Sequence, residues 1–531
     1  MVVPELRPWR AAGPQVRRLA SAVRPRLARA AAAAGPRVAR LAKAVRPRPA
    51  PRPRTARTWQ YTAGAATAGL ALAAGVVTVA GPWDANGQRT AERERAAALE
   101  RPGGTDHGRS GTAAGGPRPA PSAAPVLTGL GGTDGAVGTT NDASGGKPFA
   151  DVLGPLLDAP ALGGTRTAAV VDVTTGKHLY ATDAGKALTP ASTTKIATAV
   201  AALSALGPDH RITTRAALEP DTGELVLVGG GDPTLTARAK SDGWASLRTL
   251  ATGTAKALRA RGIGEVTLSY DTTLYSGPAQ HPIGVNENLA PVSALIADEG
   301  RTDDSVSGPA TRVTDPAKDA AGKFAGFLSD AGIKTTSPGT SKATTRAQTL
   351  ATVSSPPLAA LVERMLTNSD NDIAEALARQ TALTSGEPAD FAGGAKAVSA
   401  RLTKLGLPMS GASFHDGSGL DRNDKLTAEL LTALLVEAGN PERPGLRPVL
   451  TGLPVAGFTG TLARRYTDGA SGVVRAKTGT LTGVNTLAGT VVDTDGHLLA
   501  FAFLASGTTN PLEAQAALDT TATALAACGC R

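Results

Sequence analysis

The stretch "WQYTAGAATAGLALAAGVVTVAGPW", Trp59 to Trp83, divides the chain and sets which part of it can form a globule. From Tyr61 to Gly81 it carries no charge, and as a helix rising 1.5 Å per residue it is long enough to cross a bilayer hydrocarbon core. Trp59, Tyr61 and Trp83 stand where interfacial aromatics belong. Residues 1–58 hold fifteen Arg/Lys against one acid, Glu5, so this side should stay cytoplasmic. The reading is a disordered basic tail over 1–58, then a transmembrane helix or signal anchor over 59–83, with the remainder extracytoplasmic. A cleaved signal peptide, and hence a secreted protein, is the rival, because Thr78-Val79-Ala80 resembles a small-residue cleavage site. The apolar run is longer than a usual signal core, which favours a retained anchor.

The tail also accounts for the basicity. Of the overall +10, residues 1–58 contribute +14, leaving −4 for residues 59–531. A mildly acidic folded part argues against a nucleic-acid partner, which would need a basic face. Residues 84–147 are rich in Gly, Ala, Pro, Thr and Asp and read as a disordered linker. Aromatics make up only 3% of the chain, so a core must be built mostly from Ala, Val and Leu. The two cysteines, Cys528 and Cys530, supply neither a disulfide framework nor a metal site. A bond between them would be strained, so free thiols or an intermolecular link are expected. The six histidines form no HExxH pair, and no metal or cofactor is expected.

Globular patterning begins near Pro148. "TAAVVDVTTGKHLYATDAG" reads as two strands around a Thr-Gly turn, and "VNTLAGTVVDTDGHLLAFAFLAS" as two strands around an Asp-Gly turn, followed by a helix. Strand-like and helical pieces mix over 211–345, and helical patterning dominates 357–440. Strands at both ends with helices between predict an α/β (α+β) domain in which the first and last strands meet.

"PASTTKIATAV" places Ser192 three residues before Lys195 at a helix start, so both fall on one face. Serine is a preferred N-cap, and by itself the spacing favours that role. A second copy, Ser144 to Lys147, lies in the linker, where no helix fixes its geometry. As a nucleophile Ser192 would need an adjacent base, and Lys195 would serve if burial lowered its pKa. Two further triplets change the balance: Ser369-Asp370-Asn371 at a break between helical runs, and Lys477-Thr478-Gly479 ahead of the last hairpin. Each alone also reads as a turn or strand end. In the order SxxK, SDN, KTG they form the motif set of serine penicillin-recognising enzymes.

With "LVLVGGGDPTL", "NLAPVSALIADEG", "NSDNDIAEALARQ", "HDGSGLDRND" and "VRAKTGTLTGVNTLAG", the chain from about Pro148 onward resembles the D-alanyl-D-alanine carboxypeptidase/endopeptidase family of class C low-molecular-mass penicillin-binding proteins. The resemblance implies a serine β-lactamase/transpeptidase-like fold over 148–210 and 346–531 with a five-stranded sheet, and a large insertion, 211–345, between the SxxK and SDN motifs. It implies Ser192 as acylated nucleophile, Lys195 as its base and Ser369 as proton relay. Asn371, Lys477, Thr478 and Thr480 would bind substrate, and the backbone N–H groups of Ser192 and Thr480 would form the oxyanion hole. The implied partners are peptidoglycan stem peptides and β-lactam antibiotics, with the membrane contacted through residues 61–81.

Family members read the stem's diamino acid with an acid ahead of "AP"; here the only acid in that segment, Glu287, does not align, and it is left unassigned. "DGSGL", Asp416 to Leu420, reads equally as a Gly/Ser turn. "GGGDP", Gly229 to Pro233, lacks the ending of a phosphate loop. A β-lactamase of the same fold is the near alternative, against which no Glu-x-x-Leu-Asn stretch occurs between Asn371 and Lys477. A catalytically silent wall-binding protein is the other; the intact motif residues argue against it.

Overall fold

In the computed structural model, residues 147–466 and 469–530 are described. The basic tail, the apolar run over 61–81, Ser144 and the linker up to residue 146 lie outside them. Among the described residues no helix is long and apolar enough to cross a membrane.

The strands are β1 (Thr165–Asp172), β2 (His178–Thr182), β3 (Thr213–Leu218), β4 (Leu225–Val228), β5 (Glu265–Val266), β6 (Leu268–Asp271), β7 (Lys334–Thr335), β8 (Gly339–Thr340), β9 (Gln348–Ser354), β10 (Arg475–Leu481), β11 (Val484–Val492) and β12 (Leu498–Ser506). The helices are α1 (Phe149–Leu157), α2 (Thr194–Leu206), α3 (Leu247–Arg259), α4 (Pro316–Asp330), α5 (Leu358–Asn368), α6 (Asn371–Ser385), α7 (Phe391–Lys404), α8 (Ala428–Gly439), α9 (Pro448–Thr451) and α10 (Pro511–Ala526).

The main sheet runs β10-β11-β12-β1-β2, antiparallel throughout, and β12 pairs with β1 from Leu499↔Asp172 to Ser506↔Thr165. The two ends of the globular sequence thus close on each other, as the strand pattern predicts. β11 and β12 are buried on both faces because helices cover each side. Alternation divides the side chains of β12: Ala500, Ala502 and Leu504 face the core around α2, α5, α6 and α8, while Leu499, Phe501, Phe503 and Ala505 face α1 and α10. Alanines on one side let the helices close in, and phenylalanines fill the other.

Ten of the thirteen residues of α2 are buried, from all round the helix and Lys195 among them, so it forms the axis of the helical layer. It packs against α5, α6, α7 and α8. Its surroundings decide where the serine at its head can point.

Between α2 and α5 a second sheet, β8-β6-β4-β3-β9, is covered by α3 and α4 and has its own core. It is mixed: β3 is antiparallel to β4 and β9, whereas β4–β6 and β6–β8 are parallel. The neck is tight. Thr213 pairs with Ser354, and Ile212 and Ser355 exchange hydrogen bonds of 2.9 and 2.8 Å. Adjacent entry and exit points let so long an insertion leave the main sheet undisturbed. Its last strand, β9, lies beyond the boundary at 345 expected from sequence, because its partner β3 sits at the neck. The sulfurs of Cys528 and Cys530 are paired, which corrects the expectation of free thiols or an intermolecular link.

β10 is an edge strand of the main sheet and lies against the 3-10 turn Ala191–Thr193 that leads into α2. Gly479 permits this approach: a Cβ there would lie 2.1 Å from Thr486 Oγ1 and 2.6 Å from the Pro190 carbonyl. Gly479→Ala is therefore expected to cost about 1–3 kcal/mol of stability, read as a shift in the denaturant midpoint, and to slow any chemistry at Ser192.

Candidate active site

Ser192 sits in that 3-10 turn, one residue after Ala191, whose φ of 49° is left-handed. A non-glycine residue pays for this conformation, on the order of 1–3 kcal/mol, only where its surroundings impose it. They do so through the Pro190 carbonyl, which accepts from Thr486 Oγ1 at 2.8 Å and Thr193 Oγ1 at 2.7 Å. Gly419 packs against the Ala191 carbonyl so closely that a Cβ would lie 2.0 Å from it. Ser192 therefore caps nothing by its side chain; no side-chain cap bond is made at the head of α2.

Lys195, one helical turn on, has no exposed surface. Its Nζ donates to Ser192 Oγ at 3.0 Å, Asn371 Oδ1 at 2.6 Å and the Ser418 carbonyl at 2.7 Å. The SDN segment occupies the break between α5 and α6. Ser369 ends α5 with φ 58°, Asp370 caps α6 by accepting from the Ile373 N–H at 3.1 Å, and Asn371 opens α6. The ordinary capping role and the placing of Ser369 and Asn371 toward the cleft are one arrangement. Asn371 Nδ2 donates to the Asn288 carbonyl at 2.8 Å, fixing its amide with the oxygen toward Lys195.

From β10 comes a second lysine without exposed surface, Lys477, donating to Ser369 Oγ at 2.9 Å and to the Thr478 carbonyl at 2.7 Å. Thr478 Oγ1 donates to Thr461 Oγ1 at 3.0 Å, and Thr480 is exposed on the same strand. Ser192, Ser369, Asn371, Thr478 and Thr480 line one open cleft of about 330 Å³, with the two lysines buried beneath. All seven residues singled out from sequence thus gather at one place, although 288 positions separate Ser192 from Thr480.

The D-Ala-D-Ala carboxypeptidase 3 (S13) family model matches residues 150–311 and 303–526. The chain belongs to this family. Carboxypeptidase DacB of Mycolicibacterium smegmatis is 36% identical over 397 residues, 72% of this chain and 85% of that protein. A D-alanyl-D-alanine carboxypeptidase of Actinomadura sp. is 29% identical, spanning 70% and 83% of the two chains. The crystal structure of penicillin-binding protein 4 from Haemophilus influenzae shares the α/β fold, with a TM-score of 0.58 at 23% identity over 70% of this chain and 97% of that one. The S13 chain described here is accordingly a serine-type D-Ala-D-Ala peptidase.

The electrostatics of this S13 site follow from burial. Lys195 is lowered from 10.5 to about 8, chiefly by desolvation, with Asp416, Glu375, Asp370 and Asp372 pulling the other way. Lys477 lies well below its ordinary value, again through burial first and then through Lys195 and Arg465. A neutral Lys195 keeps two N–H donors and one lone pair. With Asn371 Oδ1 and the Ser418 carbonyl taking the donors, the lone pair faces Ser192 Oγ. This is the geometry for removing the hydroxyl proton.

Sequence reasoning missed the carbonyls of Ser418 and Asn288, whose backbone atoms have no residue signature. "DGSGL" supplies the first, so its turn serves the site. Three clusters among the described residues bring together potential metal ligands: His281/Glu375/Asp416, Glu299/Asp370/Asp372 and Asp493/Asp495/His497. In the first, both carboxylates accept backbone N–H groups of residues 417–419. In the second, Arg301, Arg312 and Arg364 balance the charge at 2.8–3.0 Å.

Since only the neutral amine can accept the proton, acylation should fail as pH falls through the lysine pKa. The second-order rate of acylation by a penicillin is expected to rise with pH to a midpoint of about 8. Below it the rate should drop about tenfold per unit, as read by stopped-flow or gel labelling.

Proposed function

We propose that the chain hydrolyses the terminal D-Ala-D-Ala bond of peptidoglycan stem peptides through an ester on Ser192. The observation that carries this reading is the pairing of each cleft serine with a buried lysine, Ser192 with Lys195 and Ser369 with Lys477. Ser192 Oγ attacks the carbonyl carbon of the penultimate D-Ala while its proton passes to Lys195. The C–N bond then breaks, and the departing amine takes a proton through Ser369, backed by Lys477. Water hydrolyses the ester and restores the serine. Backbone N–H groups of Ser192 and Thr480 stabilise the oxyanion. Thr478 and Thr480 meet the substrate's terminal carboxylate, and Asn371 holds both Lys195 and the scissile amide.

When the departing amine belongs to a neighbouring stem, the same steps cut a cross-link, so carboxypeptidase and endopeptidase action share one site. A β-lactam ring opens on Ser192 with its leaving nitrogen still tethered, leaving a long-lived adduct. The charge-free run over 61–81 supports a location outside the cytoplasmic membrane, tethered to it, within reach of the wall.

In the full-length chain, Ser192→Ala is expected to abolish labelling by a fluorescent penicillin; labelling at full strength would sink the mechanism. Defined muropeptides should lose terminal D-Ala, with any cross-link cleavage seen as monomer masses. Rapid clearance of the penicillin adduct would point to a lactamase instead.

A further inference from the structure

The lysine's third acceptor, the Ser418 carbonyl, belongs to the turn Asp416–Gly419, and the hydrogen bonds of that turn lead to one histidine. Thr198 Oγ1 on α2 donates to the Gly417 carbonyl at 2.6 Å, so two successive carbonyls of the turn face α2. The N–H groups point the other way and need acceptors in a dry interior. Asp416 Oδ1 takes Ser418 N–H at 3.0 Å and Gly419 N–H at 2.6 Å, and Glu375 Oε1 takes Ser418 N–H at 2.9 Å. The second oxygen of Asp416 takes Asp421 N–H at 2.7 Å and meets His281 Nε2 at 3.0 Å. Both side chains of this pair are 1% exposed.

The tautomer follows from the other ring nitrogen. His281 Nδ1 accepts the Ile283 N–H at 3.2 Å, which assigns the proton to Nε2 and makes it the donor to Asp416. The ring is further held edge-on against Phe391, centroids 4.9 Å apart, and Arg379 stacks on the far partner of that contact. His281 comes from the inserted segment, which also sends the Asn288 carbonyl to Asn371 and the Ala290 N–H to Asp372 at 3.0 Å. The segment 281–290 is therefore pinned at both ends to residues that contact or neighbour Lys195.

We propose that His281 is a positioning residue for the acylation step: its Nε2–H fixes the Asp416 carboxylate, which holds the Asp416–Gly419 turn so that the Ser418 carbonyl occupies one N–H of Lys195. The role rests on the acyl-enzyme reading of Ser192 and Lys195. Without that acceptor the amine is free to rotate, and its lone pair is no longer aimed at Ser192 Oγ. A histidine that merely fills the core would be replaceable by any side chain of its shape.

The test compares His281→Phe, which keeps a ring beside Phe391 and removes the donor, with His281→Gln, whose amide N–H reaches to the same place. In the full-length chain, His281→Phe is expected to acylate with a penicillin about 10- to 100-fold more slowly while its pre-covalent dissociation constant changes less than about twofold. His281→Gln should stay within about threefold of wild type in both. A wild-type rate in His281→Phe, an equal loss in His281→Gln, or a loss confined to the dissociation constant would each overturn the role. Ser192→Ala run alongside separates the two claims. Labelling that persists in it overturns the acyl-enzyme reading and this inference with it; loss there beside full-speed His281→Phe overturns the inference alone. Should His281→Phe not fold, nitrogen-15 spectra of the histidine-labelled wild-type chain decide. A proton on Nε2 of His281 is expected, and one on Nδ1 with a bare Nε2 excludes the donated bond.

Discussion

Everything at the site depends on keeping the Lys195 amine out of water. Its displacement to about 8 amounts to roughly 3 kcal/mol of preference for the neutral form over an exposed lysine. A flexible four-carbon chain would escape to solvent unless packing closed around it. α2 prevents this by being buried on all sides, and the alanines of β12, Ala500 and Ala502, let the helical layer close against the sheet. The scarcity of aromatics on this face is thus a condition of the chemistry, since larger side chains would hold the layers apart.

The same burial creates a polar debt that neighbouring elements settle. Three acceptors meet the ammonium form of Lys195, from its own helix turn, from the start of α6 and from the Asp416–Gly419 turn. Removing any one leaves a donor unpaired in a dry interior, at on the order of 1–3 kcal/mol. The left-handed residues Ala191 and Ser369 stand at the two points where the chain bends to bring serines over lysines. Both bends are over-determined, the first by Thr486, Thr193 and Gly419, the second by the cap that Asp370 makes on α6.

The insertion is more than a passenger. It leaves the main fold through a neck of paired residues, Thr213 with Ser354, yet its segment 281–290 returns to the cleft and contacts Asn371, Asp372 and Asp416. A domain attached only at its neck could drift; these contacts tie its position to the geometry of the site.

By itself the sequence determined the local features: hairpins marked by Thr-Gly and Asp-Gly turns, a helix start at Ser192, three motifs in order and, through the family resemblance they carry, an insertion between two of them. These are legible because turns, periodicity and short motifs are carried by residues adjacent in the chain. Tertiary structure alone decided that Lys477 serves Ser369 rather than Ser192, that Asp370 is a cap while its neighbours face the cleft, and that β9 belongs to the inserted sheet. It alone revealed the carbonyls of Ser418 and Asn288 and the buried pair of His281 and Asp416. A backbone carbonyl looks the same at every residue, and a lone histidine in an irregular loop has no period to betray its partner. Such contacts join positions more than eighty residues apart, and only the packed core brings them within 3 Å.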